Sequence, residues 1–161
     1  MTLVTFASLK GSPGVTTLAL LVGACWPGQR RVVVAECDPA GGDLAPRFGL
    51  SSRQGWSTVA ASVRRGYAAK DLDAHLQRLP GGLHVMVGGR AGDISRAGGH
   101  ARAAVADLLR ASSSEAQGGQ WDVIVDAGRL PSTGGEHVEW LDVADTVCIA
   151  VRPDAASVMH V

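Results

Sequence analysis

The sequence has no excess of charge of either sign. Its 15 lysine and arginine residues are balanced by 15 aspartate and glutamate residues, so the formal net charge over 161 residues is zero. No global charge attracts a polyanion and no basic cluster is evident, so any contact with nucleic acid or with an anionic membrane would have to be local. The composition, 46% hydrophobic, agrees with one soluble globular domain that has a real core.

Paired cysteine motifs and long apolar runs are also missing. The three cysteines, Cys25, Cys37 and Cys148, are odd in number, lack C-x-x-C spacing and sit in apolar segments, which predicts reduced, buried thiols. No apolar run reaches about 18 residues, and the N-terminus lacks the basic-then-apolar pattern of a signal peptide. A cytoplasmic protein is therefore expected.

Lysine is scarce, with only Lys10 and Lys70 set against thirteen arginines. Lys70 is interpreted as a solvated residue at a helix start, since charged side chains mostly lie outside. Lys10 stands at the start of a Gly/Pro-rich turn, where a lysine is a candidate binding residue.

Apolar runs alternate with amphipathic segments along the chain. The predicted strands are Thr2–Ser8, Arg31–Cys37, Leu83–Val87, Trp121–Ala127 and Thr146–Val151. The predicted helices are Thr16–Cys25, Ser57–Arg65, Lys70–Leu79, a helix containing Arg102–Arg110, and the first turns of one from Pro153 to Val161. This alternation indicates parallel βαβ units, hence an α/β fold: a three-layer α/β/α sandwich with a mainly parallel sheet.

The same pattern predicts one domain over residues 1–161, with ligands at the carboxyl ends of the strands. Because the last helix has neither a cap nor a following strand, the domain is expected to continue past Val161. Trp56, Trp121 and Trp140 are interpreted as packing anchors rather than base-stacking platforms, since no basic cluster accompanies them.

The segment from Lys10 to Thr17 lies between the first strand and the first helix and reads Lys-Gly-Ser-Pro-Gly-Val-Thr-Thr. A Gly-rich loop in this place can offer backbone N–H groups and a helix N-terminus to phosphate oxygens. The general phosphate-loop pattern G-x-x-x-x-G-K-[ST] is matched only in part, because Leu9 replaces its first glycine and Val15 its lysine.

The segment resembles more closely the deviant phosphate loop of the ParA/MinD ATPases, x-K-G-G-x-G-K-T-[TS]. Six of the eight positions from Lys10 to Thr17 agree when the variable one is included. The resemblance implies a P-loop NTPase fold with ATP and Mg²⁺ as ligands. It places the nucleotide on Gly11, Ser12, Gly14, Val15, Thr16 and Thr17.

The resemblance also implies individual roles. Thr16 would ligate Mg²⁺ through its hydroxyl, and Thr17 would support the α-phosphate. Lys10, counted among the catalytic residues, would reach across a nucleotide-dependent homodimer to the partner's phosphates.

Two further segments fall where this family needs them. Glu36-Cys37-Asp38-Pro39 resembles its D-x-D-P switch segment, which implies that Asp38 orients the attacking water; Glu36 is either the counterpart of the first aspartate or a simple strand-end charge. Asp126 resembles the carboxylate that holds Mg²⁺ through water, and Gly128 begins a second switch-like loop.

Three departures fall in the phosphate loop. Val15 cannot neutralise phosphate charge, which removes about 1.5–3 kcal/mol of binding, on the usual scale of a charge-assisted hydrogen bond. Pro13 lacks an N–H, and Ser12 stands where the family has glycine. Hydrolysis is therefore expected to be weak or absent.

The resemblance implies a nucleotide-binding switch that positions or partitions a macromolecular cargo, of the chromosome- or plasmid-partitioning type or of the type that acts at a cell pole or division site. Its expected partner is a protein cargo or adaptor. One alternative is a pseudo-ATPase scaffold or localisation factor of the TadZ/CpaE pilus-assembly type, which needs no turnover. Another is a metabolic enzyme of the dethiobiotin-synthetase kind, for which no substrate carboxylate clamp is seen. The choice of ATP over GTP rests on the resemblance alone.

Overall fold

The computed structural model describes residues 2–10, 14–65, 71–130 and 138–159. The strands are β1 (Leu3–Ser8), β2 (Arg31–Glu36), β3 (Gln77–Arg78), β4 (His84–Met86), β5 (Trp121–Arg129) and β6 (Thr146–Ala150). The helices are α1 (Val15–Ala24), α2 (Leu44–Phe48), α3 (Trp56–Arg64), α4 (Asp93–Arg96), α5 (Gly98–Ser113), α6 (Val138–Asp142) and α7 (Ala155–Val158). Single 3₁₀ turns lie at Asp73–His75 and Glu115–Gln117.

The strands form a single sheet in the order β3-β4-β2-β5-β1-β6. All neighbouring pairs are parallel except β3 and β4, which form an antiparallel hairpin. The first two long strands are not neighbours, because β5 lies between them. The carboxyl ends of β2, β5 and β1 therefore lie side by side, at the edge where an open α/β sheet binds its ligands.

Apolar side chains cover both faces of this sheet. On one face α3 and α5 pack over residues such as Val33 and Val123, and on the other α1 and α2 pack over residues such as Val34 and Ile124. Consecutive residues of β2 and β5 thus serve opposite layers, as the two-residue repeat of a strand requires. The predicted three-layer α/β/α sandwich with a mainly parallel sheet is confirmed.

The tryptophans are packing anchors, as predicted. Trp56 and Trp140 are almost completely buried, and their rings meet edge to face with centroids 5.7 Å apart. Trp121 is also buried, and the Arg31 guanidinium lies 3.9 Å from the centre of its ring.

The helix predicted over Lys70–Leu79 is wrong for the part of it that the structure describes. Leu72, Leu76 and Leu79 are buried at a spacing that mimics one face of a helix. The chain nevertheless makes one 3₁₀ turn and then β3, because the Pro80-Gly81-Gly82 turn folds β3 back onto β4 and the Leu79 N–H bonds to the Leu83 carbonyl.

Of the three cysteines predicted to be buried, one is buried. Cys37 is fully buried at the end of β2, as expected. Cys25 is exposed and Cys148 is half-buried. Cys25 caps α1 at the point where the helix leaves the sheet, and Cys148 lies on the edge strand β6, so neither is covered on all sides.

Candidate functional site

The candidate site lies at the carboxyl edge of the sheet, which we define as the edge where β1, β2 and β5 end. The Leu130 N–H donates to the Ser8 carbonyl at 2.8 Å, and the Cys37 N–H donates to the Asp126 carbonyl at 2.8 Å. These bonds continue the strand pairing beyond the regular strands and hold the carboxyl ends of β1, β2 and β5 together. The residues assigned to nucleotide, metal or catalysis from the sequence follow β1 or β2, except Asp126, which lies in the last part of β5.

Gly14 begins α1 with a backbone that requires glycine. Its φ of 83° is in the left-handed region, and its carbonyl accepts the first helical hydrogen bond, from the Leu18 N–H at 2.8 Å. Lys10 is exposed on the other side of the turn, whereas Gly11, Ser12 and Pro13 lie outside the described residues. The roles predicted for Lys10, Gly11 and Ser12 stay predictions.

Val15 is buried, with only 6% of its surface exposed. It belongs to the same apolar cluster as Phe6, Val34 and Leu44, on the α1 face of the sheet. Where the general phosphate loop carries a lysine, this chain therefore places a side chain that packs into the core and offers no charge.

Thr16 and Asp126 lie next to each other although 110 positions of chain separate them. A hydrogen bond from the half-buried Thr16 side chain lowers the pKa of Asp126, against the larger effect of burial. Thr17, one position further along the helix, is exposed. The structure thus brings together the two residues that the resemblance assigns to Mg²⁺.

Asp126 is fully buried and incompletely hydrogen-bonded. Its Oδ1 accepts the Gly128 N–H at 3.0 Å, whereas Oδ2 has no hydrogen-bond partner among the described residues. Burial, together with the smaller effect of the nearby carboxylates of Asp38 and Glu36, raises the pKa of Asp126 to about 6. An orphaned buried carboxylate oxygen is costly unless it has a ligand.

Glu36 holds two loops of the carboxyl edge together. Its side chain is buried, with Oε1 accepting the N–H groups of Asp43 at 2.6 Å and Leu44 at 3.0 Å, and Oε2 accepting that of Gly88 at 2.8 Å. Burial raises the pKa of Glu36, and the three backbone N–H donors oppose this. Of the two interpretations open from the sequence, a simple strand-end charge is wrong, because this carboxylate is an internal hydrogen-bond hub.

Asp38 follows β2 and lies against the end of β5. Its Oδ1 accepts the Ala40 N–H at 2.8 Å, which closes a tight turn, and its carboxyl group contacts Gly128. Burial raises the pKa of Asp38, and the charge of Asp43 adds to this. The predicted switch aspartate thus lies beside the predicted metal ligand Asp126.

The chemistry of this donor set fits Mg²⁺. A threonine hydroxyl and an unpartnered carboxylate oxygen are hard oxygen ligands, and Mg²⁺ in phosphate sites usually keeps several waters and takes one or two protein ligands. Within the described ranges no group of three or more His, Cys, Asp or Glu side chains is arranged to hold a metal ion. The residues thus suit an ion that is held mostly by phosphate and water.

A separate groove of about 540 Å³ runs along α1, away from these carboxylates. It is lined mainly by apolar groups of α1, α2 and the β3–β4 turn, among them Leu20, Leu21, Phe48 and Leu83. Of the predicted site residues that the structure describes, only Thr17 lines it. The groove therefore does not contain the acidic centre.

Comparison of the fold with solved structures finds several similar proteins. A ParA family ATPase from Chlorobium tepidum TLS has 20% identity and a TM-score of 0.70, covering 99% of this chain and 64% of its own. The septum site-determining protein MinD complexed with Mg-ADP from Pyrococcus horikoshii OT3 has 12% identity and a TM-score of 0.68, with coverages of 99% and 61%. Cobyrinic acid a,c-diamide synthase from Mycobacterium smegmatis with bound ADP and magnesium has 19% identity and a TM-score of 0.65, with coverages of 99% and 66%.

The chain spans less than two thirds of the length of each of these three proteins. No model of a known protein family and no characterised sequence matches the chain. None of the helices in the described ranges has the length and apolar composition that a bilayer-spanning segment needs.

Proposed function

We propose that this chain, which has the fold of the ParA/MinD P-loop ATPases, is a nucleotide-binding switch domain that holds Mg-ATP at the carboxyl edge and positions a macromolecular cargo. The observation that carries the proposal is the buried Asp126 carboxylate, whose Oδ2 lacks a partner beside Thr16 at the start of α1. A bound cation would give this oxygen the compensation that the described residues do not.

The surroundings of this carboxylate favour a phosphate ligand. Gly14 opens a helix whose N-terminal N–H groups point toward the carboxyl edge, and such a helix start favours negative charge. When bound, Mg²⁺ would neutralise charge on the phosphates, with Thr16 and Asp126 holding it. The loop from Gly11 to Thr17 would then cradle the phosphates, as the resemblance implies.

Hydrolysis is proposed to be slow or absent, because Val15 is packed into the core where a lysine would pair with the β- and γ-phosphates. Asp38 would orient the attacking water, and its place beside Asp126 and Gly128 supports this role. Lys10 would reach the phosphates of a second copy in a nucleotide-dependent homodimer. A protein cargo or adaptor would bind the dimer.

Thermal unfolding tests nucleotide binding. A ligand present at about fifty times its Kd stabilises the native state by about 2 kcal/mol, which for a domain of this size raises Tm by roughly 4–8 °C. Mg-ATP at millimolar concentration is expected to produce such a rise in the wild type. Asp126→Ala is expected to remove the Mg²⁺-dependent part of it. No rise with ATP or GTP would contradict the proposal.

The second candidate function is a scaffold or localisation factor that needs no turnover, of the TadZ/CpaE pilus-assembly type. The burial of Val15 favours it, because this side chain packs into the core at the start of α1 and offers no charge to a phosphate. Phosphate release and oligomeric state separate the two candidates. A dimer that forms only with nucleotide and only with Lys10 intact supports the switch, whereas a constitutive dimer that binds no nucleotide supports the scaffold.

A further inference from the structure

Strand β5 contains a bulge at the carboxyl edge. Phe6 of β1 is paired with Asp126, but Ser8 of β1 is paired with Arg129. Two steps along β1 thus correspond to three steps along β5, so β5 has one extra residue here. Gly128, with a φ of 61°, lies inside this step and supplies the left-handed backbone that such a bulge uses.

The bulge decides which face of the sheet Arg129 occupies. Successive side chains of a strand alternate between faces, so a regular β5 would place Arg129 on the face opposite Asp126. Phe6 and Ser8, two residues apart, share a face, and their partners Asp126 and Arg129 therefore share it too. Leu130, the next residue, packs into the cluster on the opposite face, which agrees with this assignment.

The face that Asp126 and Arg129 share is the one that α1 covers. Phe6 belongs to the same apolar cluster as Val15 of α1, and the Thr16 side chain of α1 lies close enough to Asp126 to lower the pKa of that carboxyl group. Arg129 thus lies on the α1 face of β5 and is paired with Ser8 of β1, which is two residues before Lys10. Bulges next to active sites often redirect a side chain in this way.

Arg129 also has the exposure and freedom to bind an anion. Its side chain is exposed, and it forms no hydrogen bond or ion pair with any residue in the described ranges. The neighbouring carboxylates, Asp126, Asp38 and Glu36, make this edge acidic, and the buried Val15 adds no positive charge. A phosphate bound here with Mg²⁺ would gain from a positively charged side chain on the α1 face.

We propose that Arg129 supplies the cationic contact to the nucleotide phosphates that Val15 does not supply. A guanidinium group is permanently charged and can bind two phosphate oxygens at once, so it suits this role from a neighbouring strand. The inference rests on the proposed nucleotide site and adds a residue to it that the phosphate-loop pattern does not contain.

Calorimetric affinities for Mg-ATP, Mg-ADP and adenosine test this role at about 0.15 M salt, where distant charges are screened. Arg129→Ala is expected to raise the Kd of Mg-ATP ten- to a hundredfold, with a smaller effect for ADP and none for adenosine. Arg129→Lys should recover part of the affinity. Arg90→Ala is the matched control: Arg90 is an exposed arginine after β4, which β2 and β5 separate from β1, and its removal should change Kd less than twofold.

A double variant separates replacement of the lysine from a general charge effect. If Arg129 replaces the phosphate contact of the missing lysine, the double variant Val15→Lys/Arg129→Ala should regain the affinity for Mg-ATP that Arg129→Ala loses. If the wild type and Arg129→Ala bind Mg-ATP equally, the role of Arg129 is wrong while the nucleotide site stands. If the wild type binds no nucleotide, both proposals are wrong.

Discussion

The carboxyl group of Asp38 lies against the α-carbon of Gly128, at a distance that a side chain at position 128 would not permit. The contact joins the segment after β2 to the bulge of β5, which are the two loops that the resemblance identifies as switches. A rearrangement of either loop therefore has to move the other. This contact gives the two loops a physical means of communicating.

Gly128→Ala is expected to break this contact and to destabilise the protein by about 2–5 kcal/mol. A β-carbon would overlap with the Asp38 carboxyl group, and the positive φ of residue 128 adds backbone strain. Gly118→Ala is the matched control, because Gly118 has a φ of +76° and nothing within 4 Å of an added β-carbon. It should show only the backbone cost, roughly 1–2 kcal/mol. Urea unfolding measures both, and equal losses would show that the Asp38 contact is unimportant.

Glu36→Ala is expected to destabilise the protein by about 2–4 kcal/mol, because it leaves three backbone N–H groups without their acceptor. Glu36→Gln should lose less, since one amide oxygen remains to accept. The control is Glu115→Ala, which removes an exposed carboxylate that pairs with Arg30 at the surface. Amide hydrogen exchange at Asp43, Leu44 and Gly88 locates the effect; unchanged protection there would contradict the role of Glu36 as a hub.

Asp126→Asn is expected to stabilise the metal-free protein at pH 7.5 while weakening Mg²⁺-dependent binding. Burial raises the pKa of Asp126 to about 6 from an ordinary 3.8, so the native state binds this proton more tightly than the unfolded state does. The wild type therefore loses stability as the pH rises through about 6, by up to about 3 kcal/mol. Asparagine carries no charge and avoids this loss.

The check is urea unfolding in EDTA from pH 5 to pH 8. The stability advantage of Asp126→Asn over the wild type should shrink as the pH falls toward 5. Comparing the two proteins at each pH cancels the titration of other groups. A stability advantage of Asp126→Asn that is the same at pH 5 and pH 8 would mean that burial does not raise the pKa of the Asp126 carboxyl group.

Val15→Lys is expected to raise the affinity for Mg-ATP and to increase any turnover, at a cost in stability. The lysine restores a phosphate contact worth about tenfold or more in Kd, but it replaces a valine that packs with Phe6 and Val34. The stability loss should be about 1–3 kcal/mol, because the lysine stem keeps part of the packing. Val15→Ala, which loses the packing without adding charge, should be destabilised with no gain in affinity. A gain in both variants would mean that the charge is not the cause.

Much of the fold could be predicted from local patterns of apolar residues in the sequence. The run Val32–Val34 is continuously apolar because both faces of β2 are covered, and this made the strand predictable. The order of strands and phosphate-loop residues then predicted that Thr16, Asp38 and Asp126 share one edge. The short helices α2, α4 and α6 were not predicted, since segments of four or five residues show no repeat.

The features that sequence reasoning missed depend on contacts between distant segments. The sequence alone left open that Glu36 is a simple strand-end charge, because the backbone N–H groups that it binds lie at positions 43, 44 and 88. Only the folded chain brings these groups together. The prediction of a helix over Lys70–Leu79 was wrong because the end of this segment pairs with β4 in a hairpin, although its leucines have a helix-like spacing. The position of Arg129 depends on a bulge, for which the Gly128-Arg129 pair after a buried strand is the only sequence signal.

The most direct test of nucleotide binding at the carboxyl edge is a calorimetric titration of the wild-type chain with ATP in the presence of Mg²⁺, repeated with EDTA and with Asp126→Ala. One ATP is expected to bind per chain, with an affinity that falls when Mg²⁺ is removed and no longer responds to Mg²⁺ in the variant. Absence of binding at millimolar ATP and GTP, or binding that is equal in all three titrations, would contradict it.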